Sequence, residues 1–556
     1  MEIDTVRVVL LVATVILFRY VWVVFGYRQS RRHYHNNENC IEQLPPTHPS
    51  LIPFLGNGLS FAWDTALFTQ LATSYKKTLV STRASVFGSS IYFFQDRETV
   101  CKLIKQRNSL IPIAIRFVFP AKVLFGMPEE NGLDAYRQDN SGPLSKPEAG
   151  SSIPDQDRID HLHHQAFQHA FIGPGLSPIA MRSREAVDEK FNNFRLDSSE
   201  WTEIDDLFAV IGKAVSAGLT EAMCGPSILK LHPDFIDNLW DFDRATPWLV
   251  RLIPRWINPH PHRARDTVLE QIRNWHVYAR QMFHEGLIGP DGDSDPYWGS
   301  KIIRHFQHAL WKSGKHGDDA MAAHDLALIW GATSNVASVT GLAVFHIFKD
   351  RYLTSRIRSE LRKCQYGFPE TKNLSKLPLL SSIYAETLRL YQNAFLVSAS
   401  PPDRDILLGK WKFPRRSMSI ISPALLHQDE SFWNTKGDLY PVNTFWADRF
   451  LVYPGDPESG PIRPECRKQN VDNGSDSEPY YSTEGLKSSW LPFGTGNGMC
   501  PGRFLARDAI ISTCALLVER YDIEIITESL DMDPWRFGLS VGRPRSPIAA
   551  RIRRRR

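Results

Sequence analysis

Residues 493–506 read Phe493-Gly494-Thr495-Gly496-Asn497-Gly498-Met499-Cys500-Pro501-Gly502-Arg503-Phe504-Leu505-Ala506, and this stretch decides the fold. Gly494, Gly496 and Gly498 permit a tight loop whose backbone can lie flat against something large. Cys500 then opens an apolar helical run from Phe504 to Val518, with Pro501 suited to a first-turn position. A thiol at a helix N-terminus feels the positive end of the dipole, which favours thiolate. A lone cysteine is usually a small buried hydrophobe, and Cys101, Cys224 and Cys514 read that way. Cys500 differs because a glycine-rich loop, a cysteine and a helix start coincide.

This segment resembles the haem-binding signature of the cytochrome P450 family, Phe-Gly-x-Gly-x-Arg-x-Cys-x-Gly. Phe493, Gly494, Gly496, Cys500 and Gly502 occupy its fixed positions. Gly498 stands where the family has an arginine that meets a haem propionate. The resemblance implies haem b as cofactor, with the Cys500 thiolate as axial iron ligand, pushing electron density to favour O–O cleavage. Pro501 has no N–H, so backbone donors to the sulfur are expected from Gly502 and beyond.

Glu386-Thr-Leu-Arg389 places both charges on one helix face. The same spelling at Glu270-Gln-Ile-Arg273 reads as a solvated helix pair. What separates them is Phe445-Trp-Ala-Asp-Arg449-Phe450 downstream, which looks like the family's Pro-Glu-Arg-Phe region. The resemblance implies that Glu386, Arg389 and Arg449 form a buried network, where charges persist only when fully paired. The leg from Arg449 to Cys500 is 51 residues long because a polar stretch, Asp456 to Glu484, reads as a surface insertion within it. Pro423…His427-Gln-Asp429 and Trp535-Arg-Phe-Gly538 also resemble family segments. At about 150 residues per domain, 556 residues would give three or four domains. The resemblance runs from about residue 44 to the end and implies otherwise: one large, mostly α domain with small β-sheets, behind an N-terminal transmembrane helix.

Leu326-Ala-Leu-Ile-Trp330-Gly331-Ala332-Thr333-Ser334-Asn335 lies where most of the family has Ala-Gly-x-Asp/Glu-Thr, whose acid and threonine deliver protons to dioxygen. Ser334 and Asn335 replace them as candidate catalytic residues. An amide can donate and accept hydrogen bonds but cannot act as an acid. This segment, with the aromatic stretch Asp241-Phe-Asp-Arg-Ala-Thr-Pro-Trp248 to Pro254, looks like the branch containing bile-acid-type sterol hydroxylases and prostacyclin synthase. That branch holds two chemistries. One is monooxygenation of a bulky apolar substrate, sterol- or terpenoid-like, with electrons from NADPH–cytochrome P450 reductase. The other is isomerisation or dehydration of a peroxide, which needs no NADPH. A haem-binding protein without turnover is a third reading, weakened by the anchor and the large apolar body.

Asp160-His161-Leu-His163-His164-Gln-Ala-Phe-Gln-His169 is histidine-rich, but the i,i+4 spacing of a helical zinc pair is absent. A solvated histidine cluster accounts for the run. In the family reading a helix here offers Trp and Arg to the haem propionates, and taking Ala170-Phe171 as that helix's end puts His164 at the arginine's place. Leu390 to Ser398, with Phe395 and Val397, and the Gly538 turn correspond to family segments lining the pocket; strand core explains them equally well.

Val8 to Phe25 is apolar apart from Arg19, and its eighteen residues span about 27 Å, enough for a thin bilayer. Arg28, Arg31 and Arg32 follow it against a single Arg7 before it, which puts the body in the cytosol. The expected organisation is an anchor over 1–28, a basic and Pro-rich linker over 29–56 acting as a stiff spacer, and a catalytic domain over 57–556. With the resemblance, this implies the endoplasmic reticulum membrane. Composition agrees with a globular protein: 42% apolar, 23% charged, and Lys+Arg of 65 against Asp+Glu of 61. That balance argues against a nucleic-acid partner. Seven scattered cysteines with no CxxC pair exclude a zinc ribbon or disulfide scaffold. The tail Arg551-Ile552-Arg-Arg-Arg-Arg556 reads as a frayed solvated terminus.

Overall fold

The computed structural model describes residues 2–36, 43–50, 55–106, 110–111, 113–194, 196, 200–364, 377–467 and 478–555. Helix α1 (Glu2–Asn36) is unbroken, and its segment Val6–Gln29 has mean hydropathy 2.5 with no residue of the apolar window buried, though the Tyr27 hydroxyl reaches the Ala72 carbonyl at 3.3 Å. Such a surface is stable only against another apolar phase, which makes it a candidate membrane span. The helix runs eight residues past Arg28, so the expected extended linker does not begin there. Further on the chain is no free spacer either. Pro45 and Pro46 are buried, the His48 N–H donates to the Arg83 carbonyl at 2.7 Å, and the Arg83 N–H donates to the Pro46 carbonyl at 3.0 Å. Prolines lack donors, but their carbonyls still dock an edge strand. Residues 51–54 of that segment lie outside the described residues.

The body follows as α2 (Gly58–Trp63), α3 (Thr65–Thr73), β1 (Thr82–Val86), β2 (Ser89–Phe93), α4 (Ile159–Phe171), β3 (Thr202–Ile204), α5 (Leu207–Cys224) and α6 (Phe235–Val250). Next come α7 (His260–Met282), α8 (Asp318–Lys349), α9 (Pro378–Tyr391), β4 (Leu396–Ala399), β5 (Met418–Ile421), α10 (Pro423–His427), α11 (Arg503–Arg520), β6 (Tyr521–Ile525) and β7 (Ala550–Arg554), with further helices and short strands between, among them the 17-residue helix Leu176–Asn192. The architecture is mostly helical with small sheets, as the sequence leads one to expect. α5 shows how local signals fix an element. The Asp206 side chain accepts from the Ala209 N–H at its start, and Gly225 at φ +76° ends it. α5 and α8 are long and apolar enough to cross a membrane, but 72% of each apolar window is buried, so their apolarity serves the core. α8 is the axis of that core, with α5, α7, α9 and α11 packed around it.

β1, β2, β5 and β4 form one sheet in that order, with β2 and β5 parallel in the register Phe93 to Ile420 and the other pairs antiparallel. The C-terminal run corrects an expectation. It is not frayed: β7 is the middle strand between β6 and β3, pairing Ile552 with Ile523 and with Thr202. Ile552 and Ala550 are buried, while Arg551 pairs with Glu524, Arg553 pairs with Asp522, and both guanidiniums lie over Trp201. The alternation of arginine and apolar residue is the period of a half-buried strand, hidden by its charge density. In the polar stretch 456–484, Tyr480–Tyr481 pairs with Leu451–Val452, and 468–477 lie outside the described residues.

Candidate active site

The loop before α11 is closed by its own backbone. The Cys500 N–H donates to the Phe493 carbonyl at 2.8 Å, and the Gly498 N–H donates to Thr495 at 3.2 Å. Gly494 has φ +73°, and a Cβ there would lie 2.9 Å from the Gly498 carbonyl oxygen, so the turn requires glycine. Gly498 is different: it is exposed, and a Cβ there would meet nothing within 4 Å. Phe493 packs on the core edge, and Gly502 caps α11, whose first helical residue is Arg503. Pro501 therefore sits in the turn ahead of the helix and not in its first turn. Burial pushes the Cys500 thiol above its ordinary range, opposed by the Gly502 N–H at the sulfur and the Arg503 charge. The helix terminus alone therefore does not secure a thiolate at this buried sulfur. A bare thiolate is disfavoured here, and a cation at the sulfur is what would stabilise it.

α8 is buried along most of its length, yet Leu328, Gly331, Ala332 and Asn335 are partly or fully accessible. Their i, i+3, i+4, i+7 spacing makes one open face inside a core helix, and a Cβ on Gly331 would meet nothing within 4 Å. Asn335 Oδ1 accepts from the Val541 N–H at 3.0 Å. Ser334, expected beside it as a catalytic group, points elsewhere. It is 4% exposed, and its hydroxyl donates to Asp243 Oδ1 at 2.5 Å.

Asp243 on α6 is the residue sequence reasoning missed. Its Oδ1 also accepts from Trp330 Nε1 at 2.6 Å, and Arg536 and Arg543 lie 3.0 and 2.7 Å from its Oδ2. Burial pushes this carboxyl up, but the two guanidiniums, with Ser334 and Trp330, hold it below the usual range. A charged residue amid Phe242, Ala245, Thr246 and Pro247 was the available signal.

Glu386, Arg389 and Arg449 are brought together, each 0% exposed. Arg389 Nε and Nη2 donate to the two Glu386 oxygens at 2.7 and 2.9 Å, and Arg449 Nε donates to Oε1 at 3.0 Å. Arg389 Nη1 reaches the His427 carbonyl at 2.7 Å, and Arg449 bonds the Asn434 carbonyl, tying α9 to the chain that leads to the cysteine loop. Burial raises the Glu386 carboxyl, and the arginines more than offset it. By contrast Arg273 pairs with Asp319 at 2.9 Å and not with Glu270.

The histidine run lies on α4, but it is not a solvated cluster. His163 packs among Tyr136, Phe167 and Phe306, with its Nε2 3.1 Å from His324 Nε2, and His324 Nδ1 is 3.1 Å from Asp325. His161 Nδ1 lies 3.0 Å from the Pro143 carbonyl. His164 is half-buried, and burial followed by His161 lowers its pKa. A neutral imidazole can donate a hydrogen bond to a propionate but brings no charge there. Phe395 stacks on Phe61, and Val397 is exposed.

The donor set fits haem: a soft sulfur with an N–H aimed at it, a flat glycine loop, and open space at Gly498 and Gly331. Fold and cysteine loop together define a haem-thiolate oxidoreductase. The family model for cytochrome P450 matches residues 228–550, and the chain belongs to that family. It is 31% identical over 527 residues to the cytochrome P450 monooxygenase efuG of Hormonema carpetanum, covering 92% of this chain and 90% of that protein. It is 22% identical over 341 residues to the 25-hydroxycholesterol 7-alpha-hydroxylase of Rattus norvegicus, covering 59% and 71%. Among solved structures the retinoic acid-bound cyanobacterial CYP120A1 shares the fold, with TM-score 0.59 at 15% identity over 93% of this chain and 100% of that one.

Proposed function

We propose that this protein is a membrane-anchored monooxygenase that hydroxylates or oxidises a bulky apolar substrate, sterol- or terpenoid-like, with Cys500 as the axial ligand of haem b. Electrons come from NADPH–cytochrome P450 reductase, and the body lies on the cytosolic face of the endoplasmic reticulum. The observation that carries the reading is the open apolar face of α8, which leaves Leu328 and Ala332 partly accessible beside the open space at Gly331. The rat hydroxylase, a sterol enzyme by name, supports that substrate class. The bound haem would supply dioxygen activation. In this chain Cys500 would hold it, the Gly502 N–H would temper the sulfur's charge, and His164 would meet a propionate. Leu328 and Ala332 would exclude water and seat the apolar skeleton. Asn335 has its oxygen engaged by Val541, so its NH2 is free to hold a water or a substrate oxygen.

The open face of α8 carries no carboxylate, and this favours a second reading, rearrangement of a peroxide substrate without NADPH. The deciding experiment follows NADPH consumption by the purified holoenzyme with reductase and a sterol and terpenoid panel. Substrate-dependent consumption with an oxygenated product supports the first reading. Turnover of a peroxide alone supports the second.

A further inference from the structure

We infer that Asp243 is a positioning residue: it fixes the turn 536–543, and through that turn it decides which end of the Asn335 amide faces the open side of α8. The inference rests on the active-site reading of Asn335 given above.

Asp243 touches two bodies at once. On α8 it accepts from Trp330 Nε1 at 2.6 Å and Ser334 Oγ at 2.5 Å, residues four apart and so one helical turn apart. On the C-terminal turn it faces Arg536, whose Nη1 also donates to the Asp243 carbonyl at 2.9 Å, and Arg543. Each arginine fastens its own end of the turn further. Arg536 Nη2 donates to Ser540 Oγ at 2.9 Å, and Arg543 Nε donates to Ser338 Oγ on α8 at 3.0 Å. Between these clamps the Val541 N–H meets Asn335 Oδ1, and the Gly542 N–H donates to the Tyr391 carbonyl at 2.8 Å.

An amide side chain has nearly the same shape either way round, so only its partners choose its orientation. A backbone N–H can face only the oxygen. Val541 therefore selects the rotamer in which the NH2 points away from it. That selection holds only while Val541 keeps its place. Backbone bonds to Tyr391, Asn393 and Phe395 hold one side of the turn, and two buried guanidiniums sharing one carboxylate hold the side that faces α8. Asp243, Arg536 and Arg543 are 2%, 2% and 5% exposed, with Arg543 also lying over the Trp240 ring at 4.3 Å. Removing the Asp243 charge leaves two like charges buried with no anion between them, and the turn must open to reach water. Asn335 then loses its acceptor role, and either end of the amide can face the substrate.

The test uses the full-length holoenzyme with Asp243→Asn, Asn335→Leu and the double variant. Amide hydrogen exchange is read over 536–543, and affinity for 25-hydroxycholesterol is read from its haem difference spectrum. Imidazole, which needs only the iron, is the control ligand. Asp243→Asn should speed exchange in 536–543 by about tenfold or more and leave the α9 peptide 382–389 unchanged. It should weaken 25-hydroxycholesterol by about tenfold without changing imidazole affinity. In the Asn335→Leu background the same change should add less than about twofold, because the two act in series. Unchanged exchange, or additive losses of affinity, overturns the inference. If Asp243→Asn yields no folded protein, Arg536→Lys replaces it: faster exchange over 536–543 supports the inference and wild-type exchange overturns it. Should the wild type ignore 25-hydroxycholesterol, the sterol reading fails, and the exchange measurement alone decides the role of Asp243.

Discussion

Arg389 clamps Glu386 through two parallel bonds, Nε to Oε2 at 2.7 Å and Nη2 to Oε1 at 2.9 Å, with neither side chain exposed at all. Both charges survive burial because Arg449 and two backbone carbonyls complete the network. Arg389→Ala should cost about 3–5 kcal/mol and sharply lower the yield of haem-loaded protein, since it removes the bidentate partner of a buried carboxylate and leaves Arg449 as its remaining cation. Arg273→Ala, which breaks an exposed pair with Asp319, should stay within about 1 kcal/mol of wild type. Urea unfolding and haem content of the two variants, measured side by side, check this. Equal losses would remove the energetic distinction.

The same two pairs show what a sequence discloses. Glu386-x-x-Arg389 and Glu270-x-x-Arg273 are spelled alike, and only the order of Arg449 and Cys500 behind the first separated them. Order along the chain was enough for the fold, a mostly helical body with small sheets. It failed where partners come from afar. Ser334 looked catalytic because it neighbours Asn335, but successive helix residues point about 100° apart, and Ser334 faces Asp243 from a different helix. Burial was equally illegible at Cys500, where desolvation outweighs the helix terminus. At the C-terminus five arginines made the end of a strand look like a solvated tail, because its acidic partners, Glu524 and Asp522, lie on the neighbouring β6.

Stability should fall on acidification. Burial, then Arg389, holds the His427 pKa down at about 3, and burial holds His346 and His316 at about 4. In the unfolded chain each titrates near 6.5. Below that pH the unfolded state takes protons the fold refuses, so each histidine removes up to about 1.4 kcal/mol per pH unit until its folded value is reached. Glu360 and Asp508, raised by burial to about 7 and about 6, act in the opposite sense, since the fold keeps protons that the unfolded chain loses. These three histidines, joined by His163, His164 and His305, whose pKa values burial also lowers, outnumber the two carboxyls, so stability falls on net between pH 6 and 5. His427 Nε2 accepts the Leu491 N–H at 2.9 Å, a role a glutamine oxygen can take without titrating. His427→Gln should therefore flatten the urea midpoint against pH over this interval. An unchanged slope would mean His427 does not titrate as described.

Deleting residues 2–28 should move the protein only partly from membrane pellet to soluble fraction. The span Val6–Gln29 is removed, but Trp63 at 79% exposure and Trp256 at 83% remain, with Leu67, Leu252 and Ile257 also exposed. The Arg251 Nε donates to the Ala62 carbonyl at 2.7 Å, which ties the end of α2 to the 251–257 turn. Exposed aromatic rings favour the bilayer interface. Adding Trp63→Ser and Trp256→Ser to the deletion should release the remainder, as read by flotation on liposomes. A deletion variant that is already fully soluble would show these residues make no membrane contact.

Gly494 and Gly498 stand four residues apart in the cysteine loop, and the structure separates their roles. A Cβ at Gly494 would press against the Gly498 carbonyl at 2.9 Å, with φ at +73°, so Gly494→Ala strains the backbone and the contact together. A loss of about 1–3 kcal/mol, with haem released more readily, is expected. Gly498 has neither constraint: its φ is not positive, and open space surrounds the position of a Cβ. The family places at this point an arginine that meets a haem propionate, and Gly498 supplies no side chain in its stead. Gly498→Arg should fold as wild type and hold haem more tightly, because a guanidinium and a carboxylate form a charge-assisted pair. The measurement is haem transfer from each holoenzyme to excess apomyoglobin. Transfer slower than wild type for Gly498→Arg and faster for Gly494→Ala is the expected order. If Gly498→Arg lost haem faster, the open space beside Gly498 would not be the propionate side of the loop.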